Sequence, residues 1–385
     1  VCGWTGLLIP SLIRSIEASF GQDDAGIGVV YLAYALAYAS GSFAGGPLTE
    51  RFGRRLILGT AVIITGMGAA GLGLAPTWPA FFLAAMAMGA GSGCLDGGAN
   101  GLVLDVYREG RGQAMNLLHV SFGVGALASP LVVGLLVSGG VPWQAVTIGT
   151  GGIVALLAVG YLRVPMPSGR RPTAGGAAVE LDLEPGAGRS LVGGPLLLLG
   201  IAIAAYVAAE IGVSNWVVRF LEAAPLTTAT LALSLFWGGL TVGRLATSVI
   251  ADRFDHLRLT IACTLAMALC IAVAVLAPSL PLSIAAFAAA GVAAGPAFPM
   301  IVAIGGDRYP ERSAAVGGSL AGMAVAGSVI YPPAMGFMSV TVGLPVAMFG
   351  NALLAIACVV ALVMFGRRHM PRVTGGTDGE AMERA

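Results

Sequence analysis

Apolar runs of eighteen or more residues recur along nearly the whole sequence, and few features leave a chain less choice of fold. Each run is long enough to cross a bilayer as a helix. In hydrocarbon a backbone must satisfy its own hydrogen bonds, so a helix is the form these runs take. Hydrophobic residues make up 57% of the chain and charged residues only 10%, which is more apolar surface than a soluble core needs. Twelve spans can be placed, at about 1–20, 26–48, 55–75, 79–104, 113–137, 143–163, 193–221, 228–250, 257–277, 280–304, 313–339 and 343–366. The chain opens VCGWTG without a Met, already inside an apolar run. It reads as lacking the start of its first helix, not as carrying a signal peptide.

Residues 164–192 are rich in Pro, Gly, Arg and acids and read as a solvated linker. The polar tail at 367–385 reads as disordered. Arginine placement sets the orientation. The chain has no lysine, and with the loop after span 2 on the inside, 17 of its 20 arginines fall on the inner side. Arg14 and Arg219 sit near outer helix ends, and Arg244 lies within span 8. An even number of spans then puts both termini in the cytoplasm.

The two halves repeat. A shift of 202 residues pairs Glu50 with Asp252, Arg51 with Arg253, Asp105 with Asp307, Pro130 with Pro332 and Gly134 with Gly336. A shift of 205 pairs Arg14 with Arg219 and Glu17 with Glu222. The expected fold is therefore an all-α membrane protein of twelve transmembrane helices in two pseudo-symmetric six-helix bundles, 1–163 and 193–366. Parallel repeats of this kind suit a transporter that rocks one half against the other.

Several function classes are excluded. A net charge of +1 gives no basic field for nucleic acid. The five cysteines, Cys2, Cys94, Cys263, Cys270 and Cys358, sit in apolar spans without CxxC spacing. His119, His256 and His369 are far apart in sequence, and no Walker A motif is present. The reading is of a non-enzyme with no cofactor, no metal and no ATP drive.

What chemistry remains lies inside the spans. Asp96 is a carboxylate within span 4, where an acid is costly and is a functional-site candidate by default. Asn100 follows it by one turn on the same helical face. Gly89, Gly93, Gly97 and Gly101 run along the neighbouring row, a spacing that lets helix backbones approach closely. On span 5, Asn116 offers an amide donor and acceptor suited to a hydroxyl, and His119 can bind or titrate. On span 7, Glu210 is the second candidate for proton or sodium coupling, with Tyr206 and Ser214 on its face. Asn215 and Trp216 point away from that face, so local unwinding is expected if all five line a cavity. Trp216, Trp237, Tyr34 and Tyr38 are candidates for stacking on a sugar ring, although aromatic residues in spans more often pack or anchor. Glu50, Arg51, Gly53, Arg54, Arg55, Asp105, Asp252, Arg253 and Asp307 at the inner ends, with Arg244 two turns from Asp252 within span 8, are candidates for a charged gating network. Pro296, Pro299, Pro332 and Pro333 should bend spans 10 and 11.

Gly46-Pro-Leu-Thr-Glu-Arg-Phe-Gly-Arg-Arg55 resembles the signature after span 2 of the major facilitator superfamily, G-x-L-x-D-R-x-G-R-[RK], with Glu50 in place of Asp. Ile250-Ala-Asp-Arg-Phe254 resembles a degenerate second copy. Leu95-Asp-Gly-Gly-Ala-Asn100, Met115-Asn-Leu-Leu-His119 with Phe122-Gly123, Tyr206-Val-Ala-Ala-Glu210 with Trp216, Phe298-Pro299 and Gly306-Asp-Arg-Tyr-Pro310 resemble the fucose–proton symporter branch. That branch includes bacterial glucose carriers and animal sodium–glucose carrier-like proteins. The resemblance implies a proton-coupling role for the acid at Asp96. It also implies a coupling acid in span 1, where this chain has none in the inner or middle part.

Together these readings predict a monomeric secondary transporter in a bacterial plasma membrane. Its partners are the bilayer, a proton or a sodium ion, and a small polar solute, expected to be a monosaccharide taken up by symport. A proton-driven exporter of drugs or metabolites is the first alternative. A non-transporting membrane sensor is the second.

Overall fold

The structure, a computed structural model, describes residues 1–107, 111–163, 194–250 and 253–369, without the side chains at 104–105, 111–116, 311, 314–315 and 368–369. The expected linker at 164–192, Asp252, and residues 370–385 of the expected tail therefore lie outside the described residues, as do the side chains of Asp105 and Asn116. Among the described residues the secondary structure is helical throughout.

Span 1 comes in two pieces, Cys2–Thr5 and Leu8–Phe20. Spans 2 to 6 are Asp24–Phe52, Arg54–Leu74, Trp78–Val106, Arg111–Ser138 and Trp143–Arg163. Spans 7 to 9 are Pro195–Phe220, Leu226–Ile250 and His256–Leu276. Span 10 is broken into Leu280–Ala294 and Ala297–Arg308, and spans 11 and 12 are Ser313–Val342 and Leu344–His369. Eleven of these spans are long and apolar enough to cross a membrane. The continuous part of span 1 is a 13-residue helix, short for a bilayer on its own.

Local chemistry explains the ends. Asp23 caps span 2 by accepting from the Gly26 N–H at 2.9 Å. Asp255 caps span 9 in the same way, from the Arg258 N–H at 2.8 Å. Span 2 runs past its apolar stretch and stops at Gly53, whose φ of +90° ends the helix and lets span 3 begin at the next residue. Span 10 breaks where the sequence places Gly295 and Pro296, because proline cannot donate to the helical ladder. Pro332 and Pro333 by contrast sit inside an uninterrupted span 11.

Span 7 is one unbroken helix from Pro195 to Phe220, so the expected unwinding near Asn215 does not occur. Trp216 instead finds its own buried partner, the Pro332 carbonyl.

Large apolar side chains such as Leu156, 72% exposed, form the outer belt of a lipid-facing surface. Inside, the bundles close on small residues. A Cβ on Gly93 would collide with the Tyr38 carbonyl, and one on Gly97 with that of Ser42, so span 4 lies directly against span 2. Gly101, at the end of the same row, has open space beside it. The second half repeats this contact with Gly243 against the Val292 carbonyl, between spans 8 and 10.

The halves meet along spans 2 and 11, where Gly28 packs on Pro333 and Gly336, and along spans 5 and 8, where Gly134 faces Thr230 and Gly123 faces Thr241.

Candidate functional site

The two acids singled out in sequence stand on opposite halves. Asp96, half-buried on span 4, has Tyr38 of span 2 and Asn100 of its own helix as polar neighbours. The Tyr34 and Tyr38 rings stack with centroids 6.3 Å apart at 25°. The Asn100 side-chain oxygen is buried with no hydrogen-bond partner among the described residues. Such an acceptor is costly unless something fills it. Span 1 adds a residue that sequence did not flag: Cys2, whose thiol lies 3.6 Å from the Ser92 carbonyl and within the field of Asp96.

Glu210, only 6% exposed, is the counterpart on span 7. Tyr206 and Arg244 are its polar neighbours. Arg244 is tethered by its Nε to the Gly295 carbonyl at 3.3 Å, so span 8 delivers it to the break in span 10. It lies within span 8, as the sequence places it, and bonds to the second half's own span 10. His119 is exposed, and Asp96 and Arg244 both act on it electrostatically. Electrostatic influence thus links Asp96 and His119 of the first half with Arg244 and Glu210 of the second.

The aromatic candidates are divided. Tyr206 is fully buried and donates to the Ala294 carbonyl at 2.9 Å. Trp216 is fully buried too, its indole N–H donating to the Pro332 carbonyl at 2.7 Å and its ring meeting Tyr31 edge-on at 5.6 Å. Asn215 is half-buried, and its backbone carbonyl accepts from the Tyr31 hydroxyl at 2.9 Å. Trp237 donates to the Ser214 hydroxyl at 2.9 Å while its ring lies 5.6 Å from that of Phe122 across the seam.

The expected gating residues cluster at one end of the bundle. Glu50, Arg51, Arg55 and Arg253 are exposed there, Gly53 and Arg54 partly so. Arg51 rests over the Phe52 ring at 5.2 Å. Asp307 is 73% exposed and faces His256 of its own half at 3.5 Å.

The opposite end is where ion pairs cross between halves. Arg219 of span 7 reaches Asp24 of span 2 at 2.7 Å and Glu17 of span 1 at 3.1 Å, and also pairs with Glu222. Arg14 of span 1 donates to the carbonyls of Val218 at 2.7 Å and Ala224 at 2.8 Å, and to that of Leu221. Ser339 of span 11 donates to the second oxygen of Asp24. These residues were not singled out as a gate in sequence. The signal was present in the repeat-related Arg-x-x-Glu segments at Arg14–Glu17 and Arg219–Glu222.

Two six-helix repeats, each with an acid inside a span, are the architecture of a secondary transporter. The major facilitator superfamily model matches residues 2–224 and 198–381, and the chain belongs to that superfamily. It is similar to the sodium-dependent glucose transporter 1 of Danio rerio, 29% identical over 123 residues, 32% of this chain and 21% of the relative. It is also similar to the puromycin resistance protein pur8 of Streptomyces alboniger, 32% identical over 236 residues, 59% of this chain and 44% of the relative. The matches thus span less than half the length of these relatives. Among solved structures, the nucleoside transporter NupG aligns with a TM-score of 0.78 at 16% identity, over 94% of this chain and 96% of that one. A bacterial homologue of the human lysosomal transporter Spinster aligns at 0.74 and 16% identity, over 95% and 94% of the two chains. The fucose–proton symporter FucP of E. coli aligns at 0.64 and 18%, over 94% and 95%.

Proposed function

We propose that this superfamily transporter takes up a monosaccharide with protons, by alternating access across a plasma membrane. The observation that carries the reading is one acid within a span of each half, Asp96 and Glu210, with His119 and Arg244 linking them by electrostatic influence between the halves. An acid between two rocking bundles is exposed to one side of the membrane and then the other, which is what coupling requires. Asp96 and Glu210 are the proton sites in this account. Tyr34, Tyr38, Asn100, Asn116, His119, Asn215 and Trp237 supply hydroxyl-binding and stacking groups. Tyr206 and Trp216 support them from behind. The unpaired oxygen of Asn100 fits a hydroxyl donor, and the relatives named as glucose transporters support a sugar as solute.

The arginine-rich end is cytoplasmic in this reading, as are both termini, and residues 164–192 link the bundles 1–163 and 193–366 on that side. Glu50 to Arg55, Asp105, Asp252, Arg253 and Asp307 would then close the inner side in the opposite state. The protein acts as a monomer. Sodium is the alternative coupling ion.

The relative named as a puromycin resistance protein favours a second reading, proton-driven export of a drug-like solute. Flux assays on one preparation separate the two. Accumulation of labelled hexose under an inward proton gradient supports uptake. Outward movement of puromycin, with hexose flux at background, supports export.

A further inference from the structure

We infer that Arg14 and Arg219 form a reciprocal latch that holds the outer end of the seam shut and must release in every transport cycle. The inference rests on the alternating-access reading above.

The two arginines occupy corresponding places on corresponding helices, span 1 and span 7, each followed three residues later by a glutamate. Each crosses to the other half, and each takes a different kind of partner. Arg14 grips backbone, bonding to Val218, Leu221 and Ala224 at the end of span 7. The Val218 carbonyl lies in the last turn of span 7, where it has no partner within the helix and carries the negative end of its dipole, and Leu221 and Ala224 follow in the turn just beyond, so a guanidinium suits the site. Arg219 takes carboxylates, with Asp24 at 2.7 Å and Glu17 at 3.1 Å. Ser339 takes the other Asp24 oxygen, which brings span 11 into the same knot.

Four helices, two from each half, are thus held together, three through the two arginines and span 11 through Ser339 on Asp24. The partners are enclosed: the side chains of Asp24 and Glu17 are 7% and 12% exposed. Losing Arg219 would leave two largely enclosed acids of the first half without the cation that faces them from span 7, a state that opening the seam to water relieves. A cavity of about 390 Å³, lined by Glu17, Asp24, Arg219, Glu222 and Ser339 among others, lies over the pair. It lets water replace the bonds as they part. The fork of Arg14, serving three carbonyls, is a task lysine's single ammonium cannot take over.

The test is thiol accessibility, which needs neither substrate nor coupling ion. All five native cysteines are replaced by alanine, and Asn215→Cys is introduced one helical turn inward from Arg219. The full chain is placed in sealed right-side-out vesicles and treated with a membrane-impermeant charged thiol reagent. Arg219→Ala and Asp24→Asn should each raise the labelling rate by about tenfold or more, the effect of a tenfold shift in the open population. Ser339→Ala should raise it less, and Arg258→Ala, an exposed site at the other end, not at all. Labelling equal to the parent in both Arg219→Ala and Asp24→Asn would overturn the latch. Should Arg219→Ala fail to fold, Asp24→Asn and Arg14→Gln read the same quantity. A latch that opens on mutation in a protein without hexose flux would sink the sugar reading and leave the latch standing.

Discussion

Tyr206 donates its hydroxyl to the Ala294 carbonyl at 2.9 Å, and Ala294 is the last residue of the first segment of span 10. Arg244 holds the next carbonyl, that of Gly295, at 3.3 Å. The two polar neighbours of Glu210 therefore terminate on the break in span 10 itself. Whatever changes the charge of Glu210 acts on side chains already fixed to the break in that span, where Pro296 has removed a ladder hydrogen bond.

Tyr206→Phe leaves the Ala294 carbonyl buried and without its donor. The expected cost is about 1–3 kcal/mol of stability, read as a lower melting temperature in detergent. An unchanged melting temperature would mean that this hydroxyl bond contributes nothing to holding span 10.

The glycine row on span 4 makes a paired prediction. Gly93→Ala drives a Cβ into the Tyr38 carbonyl and should destabilise by about 1–3 kcal/mol with loss of monodisperse protein. Gly101→Ala meets no atom within 4 Å and should be neutral or stabilising by up to about 1 kcal/mol. Equal thermal stability of the two variants would contradict the packing described for spans 2 and 4.

Asn100 is the converse of Tyr206. Its side-chain oxygen has no described partner, while its side chain also hydrogen-bonds Asp96, so Asn100→Leu removes an orphan acceptor together with one hydrogen bond to the acid. The KM for a hexose should rise about tenfold, one hydrogen bond's worth of affinity, with a stability loss of at most about 1–2 kcal/mol. A larger fall in stability with KM unchanged would make Asn100 a packing residue.

Glu210→Gln keeps shape and removes charge. Counterflow exchange of hexose should persist, while accumulation driven by a proton gradient falls to parity. Full gradient-driven accumulation in Glu210→Gln would place coupling elsewhere.

Much of the fold could be read in the sequence because lipid imposes a rule that periodicity and length express directly: an apolar run of span length must be a helix. Asp96 and Glu210 stood out for the same reason, as charges where charge is costly. The crossing bonds were not legible. Ser339 and Asp24 lie 315 residues apart, and neither carries a motif. Arg14 and Arg219 looked like end-of-helix charges, although their shared spacing to a glutamate marked them as a repeated feature. Nor could sequence say that the Trp216 indole N–H is spent on the Pro332 carbonyl, because that depends on how span 11 passes span 7. Arg244 was read as lying within span 8, two turns from Asp252, but its bond to the Gly295 carbonyl depends on how span 10 breaks and could not be read from spacing.

The measurement that bears most directly on the account is uptake of labelled hexose into energised vesicles holding this protein, with and without an inward proton gradient, beside Asp96→Asn. The account predicts accumulation that requires the gradient and is lost in the variant while exchange continues. Accumulation by Asp96→Asn with the gradient dependence of the parent, or no hexose flux by the parent under any gradient, would contradict it.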